Sequence, residues 1–236
     1  MTGIYRLAGL NVEITSVYPR VHNLCRNYRL DGADNCRPDI SVCTGPVDID
    51  FERDKSGRKY SDRYLEQLAV YRKIAEKLPE YDTFLFHGSA VSVDGEGYVF
   101  TAVSGTGKST HVRLWRELLG DRAVMVNDDK PLIRVTDTGT FVCGSPWDGK
   151  HRLSSNIEVP VRAICILERA EENRISEITQ AEALPILLQQ AYRPFDPAAL
   201  ALTINLVDHM RVKYYRLGCN MEIGAAELSY RTMSGK

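Results

Sequence analysis

The sequence predicts an α/β fold. β-type runs and helical patterns alternate through most of the chain, and a glycine-rich loop joins one β-type run directly to a helix. With 236 residues, 44% of them hydrophobic, the chain is long enough to bury a sizeable core. Periodicity taken alone favours a doubly wound parallel sheet for such an alternation.

For the first 80 residues the sequence predicts a strand-rich segment that ends in one helix. The β-type runs there are residues 9–17, 39–43 and 46–51. Across residues 61–78 apolar side chains recur at helical spacing, and Pro79 follows the end of the pattern. We therefore divide the chain into residues 1–80 and a larger domain, residues 81–236.

In the larger domain the sequence predicts more strands than helices. Its β-type runs are residues 83–86, 89–93, 97–103, 123–126, 132–135, 140–143, 159–167 and 212–217. Its helical patterns are residues 108–119, 180–191, 196–210 and 222–233. Turn formers at Asp94-Gly95 and at Asp137-Thr138-Gly139 predict two hairpins.

A phosphate-binding loop is the strongest motif in the chain. Residues 97–110 have the sequence GYVFTAVSGTGKST, in which a β-type run, a glycine loop and a lysine precede a helix. In this arrangement backbone N–H groups and a helix N-terminus surround phosphates, the lysine binds the β- and γ-phosphates, and the hydroxyl after it binds Mg²⁺. Ala102 replaces the first glycine of the pattern. The predicted nucleotide-binding residues are Ser104, Gly105, Thr106, Gly107, Lys108, Ser109 and Thr110.

Two carboxylates follow the next predicted strand. The run AVMVNDDKP ends in Asn127, Asp128 and Asp129. A phosphoryl-transfer site needs one carboxylate for the metal and another to accept a proton from the attacking hydroxyl. The same residues are also ordinary turn composition, and the neighbouring loop favours the functional interpretation.

These residues resemble the catalytic domain of HPr serine kinase/phosphorylase, and more broadly the phosphoenolpyruvate-carboxykinase-like kinases. The similarity covers about residues 80–217 and includes FHGSAVSVDGEGYVFTAVSGTGKST and GSPWDGKHRLSSNIEVPVRAICILER. The resemblance implies a mixed, largely antiparallel P-loop core instead of the parallel sheet. It also implies a small relative of the HPr enzyme, because that family's later signature and basic loop have no counterpart here.

The resemblance also implies roles for individual residues. Lys108 and Ser109 match the nucleotide and metal ligands, Asp128 the general base and Asp129 a metal-side carboxylate. Which aspartate is the base and which holds the metal stays open, so Asp128 is also a candidate metal ligand together with Ser109 and Asp129. His87 matches an active-site histidine near the base, although composition alone favours a buried core histidine.

The loop after the second hairpin adds positive charge. Lys150, His151 and Arg152 are either a solvated basic turn or donors that neutralise the transferring phosphoryl group or an acidic acceptor. Lys150 and Arg152 therefore join the candidate catalytic residues. Trp147 either stacks on a ligand or anchors this loop, and we favour anchoring.

The sequence thus predicts a kinase that uses ATP and Mg²⁺ to phosphorylate a hydroxyl acceptor, either serine or a small hydroxylated metabolite. A nucleotide-binding regulator without turnover and phosphoenolpyruvate-carboxykinase-like chemistry remain the alternatives. The acceptor and the choice between ATP and GTP stay open.

Composition limits the partners. The chain has 30 Lys+Arg and 31 Asp+Glu, so it lacks the excess of basic residues that is typical of a nucleic-acid binder. No window reaches the roughly 18 uncharged apolar residues of a membrane span. Six cysteines without a CxxC pair or a signal peptide indicate reduced thiols and a cytoplasmic protein. A homo-oligomer is left open.

Overall fold

The computed structural model describes residues 1–30, 32, 36–149 and 151–236, and it has a mixed α/β fold. The strands within these ranges are β1 (Thr2–Leu7), β2 (Leu10–Thr15), β3 (Ile40–Cys43), β4 (Thr83–Leu85), β5 (Ser89–Val93), β6 (Glu96–Thr101), β7 (Ala123–Asn127), β8 (Leu132–Thr136), β9 (Gly139–Cys143), β10 (Glu158–Arg169), β11 (Arg174–Ile178) and β12 (Lys213–Cys219). The helices are α1 (Arg20–Leu24), α2 (Pro46–Ser56), α3 (Asp62–Lys77), α4 (Lys108–Leu119), α5 (Gln180–Gln190), α6 (Pro197–Asp208) and α7 (Ile223–Ser234). None of these described helices has the length and apolar content needed to cross a bilayer.

The large sheet is mixed and mostly antiparallel. Its strand order is β4-β8-β9-β10-β6-β5-β7, with β12 also paired to β10 and β11 paired to β12. Only the pairs β10 with β6 and β10 with β12 are parallel. The predicted mixed core is confirmed, and the doubly wound parallel sheet that periodicity favoured is wrong. The two predicted hairpins, β5-β6 and β8-β9, are both present.

β5 places two turns of the chain at one edge of the large sheet. It lies between β6 and β7 and runs antiparallel to both. The strands β6 and β7 are therefore parallel to each other, so their carboxyl ends meet at the same edge. The loop before α4 follows β6, and the two aspartates follow β7, so the topology brings both motifs together.

The N-terminal segment forms its own three-stranded sheet in the order β1-β2-β3. A turn at Ala8 and Gly9, with φ of 48° and 79°, joins the first two strands. Buried side chains of this sheet and of α3 share one hydrophobic cluster with Leu85 and Trp147 of the larger part. The segment is thus packed onto the large sheet, while a domain boundary at residue 80 stays a prediction.

One predicted strand is a helix. Residues 46–51 were expected to be β-type, but they begin α2. Pro46 occupies the first turn, where its missing N–H costs nothing, and the Asp48 carboxylate accepts a hydrogen bond from the Gly45 N–H at 3.1 Å. These start signals outweigh the β-propensity of the short run.

Two further differences concern strands. The predicted strand at residues 9–17 is β2 alone, and its hairpin partner β1 was missed. The exposed strand β11 was also missed, because its alternation of polar and apolar residues is short and lies in a charged stretch. The other predicted strands and helices of the larger domain are confirmed, with ends that differ by a few residues.

Gly144 holds the loop that follows β9 close to the sheet. Its N–H donates to Ile157 O at 2.9 Å, and a Cβ at this position would lie 1.7 Å from Ser155 O. Ser155 N in turn donates to Val126 O at 3.1 Å, which ties the loop to β7. Only glycine allows this approach of two backbone segments.

We expect Gly144→Ala to lower the free energy of unfolding by at least about 2 kcal/mol, because the backbone of the loop has to move away. Gly224→Ala is the control, since the nearest atom to its added Cβ lies at 3.9 Å. Urea denaturation of both variants measures the difference. Equal stability of the two variants would contradict this account of the loop.

Candidate functional site

The glycine loop has the backbone of an anion-binding site. Gly105 and Gly107 have φ of 82° and 125°, a region that residues with a Cβ rarely adopt. No side chain caps the N-terminus of α4, so the N–H groups of its first turn have no side-chain partner. Within the loop, Thr106 bonds back to Val103 O through both its N–H and its hydroxyl. Ser104 and Ser109 are exposed, and Thr110 is half-buried.

Lys108 lies folded over this loop. Its Nζ donates to Ala102 O at 3.1 Å, and only 8% of the residue is exposed. Burial lowers the pKa of Lys108, Asp129 raises it and Lys130 lowers it again. The Ala102 methyl belongs to the buried cluster under α4, so this departure from the glycine pattern fills core space.

Arg169 is a further residue of the site that the sequence analysis missed. It ends β10, the parallel neighbour of β6, and its guanidinium donates to Gly105 O at 2.5 Å and Thr106 O at 3.4 Å. These bonds tie the loop carbonyls to the end of β10. A basic residue at the carboxyl end of the strongest predicted strand was the available signal.

Asn127 shapes the turn that carries the two aspartates. Its Oδ1 accepts from Asp129 N at 2.9 Å and Lys130 N at 2.6 Å, and its Nδ2 donates to Ser145 O at 3.0 Å. The residue is fully buried. Asn127 therefore has a structural role, since all the bonded atoms are backbone or loop groups.

The two aspartates face different neighbours. Asp128 is buried, accepts from Gly149 N at 2.6 Å, and lines a cleft of about 180 Å³ together with Ser109 and His151. Asp129 is half-buried and has its Oδ1 3.5 Å from His87 Nε2 and its Oδ2 3.6 Å from Lys130 Nζ. Asp128 thus lies on the side of Ser109 and α4, and Asp129 lies beside His87.

His87 is held from both sides. Its Nδ1 lies 2.7 Å from Gln190 Oε1, and its carbonyl accepts from the Thr101 hydroxyl at 3.0 Å. Burial, then Lys108 and Lys130, lower the pKa of His87, whereas Asp129 and Gln190 raise it. The net shift is downward, so the ring is mostly neutral at pH 7.

The loop that follows β9 borders the same cleft as α4, through His151 and Leu153. Trp147 is buried and packs edge-on against Tyr71 at 5.3 Å, which confirms its anchoring role. His151 and Arg152 are exposed, and Arg152 has a left-handed backbone, φ of 51°. Lys150 lies outside the described residues.

A chamber of about 260 Å³ opens beside Asp129. Its walls come from α3, from the end of α1, and from residues 146–149 and Arg152 of the loop after β9. Residues 1–80 therefore contribute to this chamber, which no motif in the sequence predicted.

A family model described as "SynChlorMet cassette protein ScmC" matches residues 58–223. The chain belongs to this family. The solved structure of the HPr(Ser) kinase/phosphatase from Coxiella burnetii is similar over 64% of this chain and 93% of its own, at a TM-score of 0.35 and 12% identity. No curated protein matches the chain in sequence.

The proximity of His87, Asp129 and Lys130 predicts opposite changes on mutation. Asp129→Asn removes a negative neighbour that raises the pKa of His87, so we expect that pKa to fall further. Lys130→Gln removes a positive neighbour, so the pKa is expected to rise. Histidine ring resonances followed by NMR from about pH 4 to 8 measure both, with His87→Gln for assignment. Shifts in the same direction would contradict the arrangement.

Proposed function

We propose that this protein is a Mg²⁺- and ATP-dependent kinase that transfers the γ-phosphoryl group to a hydroxyl acceptor. The observation that carries the proposal is the position of an uncapped helix N-terminus and Lys108 beside two carboxylates at one sheet edge. The helix N-terminus and Lys108 suit a polyphosphate group. The two carboxylates suit a metal ion and the acceptance of a proton.

The loop would bind the nucleotide. The N–H groups of the first turn of α4 point where phosphates bind in such loops, and Lys108 leaves Ala102 O to contact the β- and γ-phosphates. Ser109 and Asp128 share one cleft and would hold Mg²⁺. When bound, Mg²⁺ neutralises charge on the phosphate oxygens.

Asp129 would act on the acceptor. It lines the chamber beside the site, and a neutral His87 lies next to it. In the reaction the acceptor hydroxyl gives its proton to Asp129 and its oxygen forms the new bond to the γ-phosphorus. The bond between that phosphorus and the bridging oxygen breaks, and ADP keeps the electron pair.

This proposal reverses the roles that the resemblance implied for the aspartates. There Asp128 was the base and Asp129 the metal-side carboxylate. The shared cleft of Asp128 with Ser109 and the location of Asp129 at the chamber support the reversed order.

Lys108→Ala is expected to weaken Mg-ATP binding by at least about 100-fold, because charge-assisted bonds to phosphate each contribute about 1.5–3 kcal/mol and the lysine makes more than one. Titration calorimetry on the full chain measures the affinity. Lys213→Ala, an exposed lysine on β12, is the control and should bind as the wild type does. An unchanged affinity of folded Lys108→Ala would overturn the nucleotide site.

The aspartate roles predict a split between two variants. Asp129→Asn should lower kcat by about 10² to 10⁴, the usual contribution of a general base, with little change in the Mg²⁺ requirement. Asp128→Asn should instead raise the Mg²⁺ concentration needed for half-maximal activity. Transfer of labelled γ-phosphate across a Mg²⁺ series measures both. The reverse pattern contradicts the assignment. If the wild-type protein binds ATP but transfers no labelled phosphate to any acceptor, it is a regulator without turnover.

A further inference from the structure

The acceptor chamber continues into a larger hollow with a strong positive charge. The hollow, about 490 Å³, shares Leu24, Gln67, Asp148 and Arg152 with the chamber. Four arginines line it, Arg20, Arg26, Arg63 and Arg152, against one carboxylate, Asp148. The first three come from residues 1–80, so the N-terminal segment provides most of the charge.

Asp148 lies near enough to Arg152 for the two charges to interact, but one carboxylate leaves most of the charge of the four arginines unpaired. Within the part of the chain that the structure describes, no carboxylate lies within 4.0 Å of Arg26, Arg63 or Arg152. Arg20 donates to the neutral Gln67 amide at 2.8 Å, and its guanidinium lies 5.6 Å from the Tyr64 ring centre. Like charges gathered in one concave surface repel one another, so the hollow gains most from an anion that binds there.

We propose that the acceptor is a hydroxyl compound that also carries a carboxylate or phosphate group. Its hydroxyl lies in the chamber at Asp129, and its anionic group binds Arg26, Arg63 and Arg152 in the hollow. Guanidinium groups bind carboxylate and phosphate through paired hydrogen bonds, which fixes orientation as well as affinity. Residues 1–80 would thus select the acceptor. This inference rests on the proposed kinase function.

A hydroxyl group and a nearby anionic group occur together in free hydroxy acids and also in a serine of an acidic peptide. The experiment therefore uses probes of both kinds. Calorimetry on the full chain, saturated with Mg²⁺ and the non-hydrolysable ATP analogue AMP-PNP, keeps added anions out of the phosphate loop. The free probes are D-glycerate, 3-phospho-D-glycerate and neutral glycerol. The peptide probes are one serine peptide flanked by aspartates and the same peptide flanked by asparagines.

At least one anionic probe should bind about tenfold or more tighter than its neutral counterpart. Arg63→Gln, and more strongly Arg26→Gln with Arg63→Gln, should remove at least about tenfold of that affinity. Arg174→Gln is the matched control, because Arg174 lies on β11 and pairs with Glu172 outside the hollow. The affinity for AMP-PNP should be the same in all variants, which verifies that they are folded.

The small-molecule and peptide arms show which source supplies the anion, and either one supports the proposal. Equal binding of charged and neutral probes, no binding of any anionic probe, or wild-type affinity in the double variant would overturn it. In each of these cases AMP-PNP still binds and the kinase proposal stands. Loss of AMP-PNP binding in the wild type would instead remove the proposed function itself.

Discussion

The site depends on the antiparallel pairing of β5 with both β6 and β7. Because β5 lies between them, the strand before the phosphate loop and the strand before the aspartates end at the same edge of the sheet. Two further interactions set the fine geometry there. Asn127 fixes the aspartate turn through backbone N–H groups, and Arg169 holds the loop carbonyls. Each of these contacts acts on backbone atoms, so the functional side chains are left available.

The second part of the arrangement comes from outside the large sheet. The N-terminal sheet and α3 share a buried cluster with Leu85 and Trp147, and this packing places α1 and α3 over the aspartate turn. The start of the loop after β9 is anchored by the close approach of Gly144 to Ser155 and by the contact of Trp147 with Tyr71. The proposed phosphate-binding half and the proposed acceptor-binding half of the site would therefore come from different parts of the chain.

Much of the larger domain could be predicted from the sequence, because its signals are local. The glycine loop between a β-type run and a helix, the Asp94-Gly95 turn and the helical periodicity of α4 each depend on a few adjacent residues. The family resemblance supplied what periodicity could not, the mixed sheet. Residues 46–51 were misassigned because a short apolar run fits strand and helix equally, and the start signals at Pro46 and Asp48 decide for the helix.

The neighbours of the site residues could not be predicted from the sequence. Arg169 lies 60 residues and more after the loop that it contacts, and Arg63 and Arg152 come together only through tertiary packing. The different surroundings of Asp128 and Asp129 also arise from the turn, since adjacent residues in a turn point their side chains in different directions. The residues around Asp128 and Asp129 in the sequence do not distinguish the two carboxylates.

The most direct test of the account is a crystal structure with Mg²⁺ and AMP-PNP bound. The account predicts phosphates on the N–H groups of the first turn of α4, Lys108 on the γ-phosphate, the metal between Ser109 and Asp128, and Asp129 free of metal at the acceptor chamber. A nucleotide bound elsewhere on the chain would contradict the central claim, and a metal held by Asp129 instead of Asp128 would contradict the division of roles.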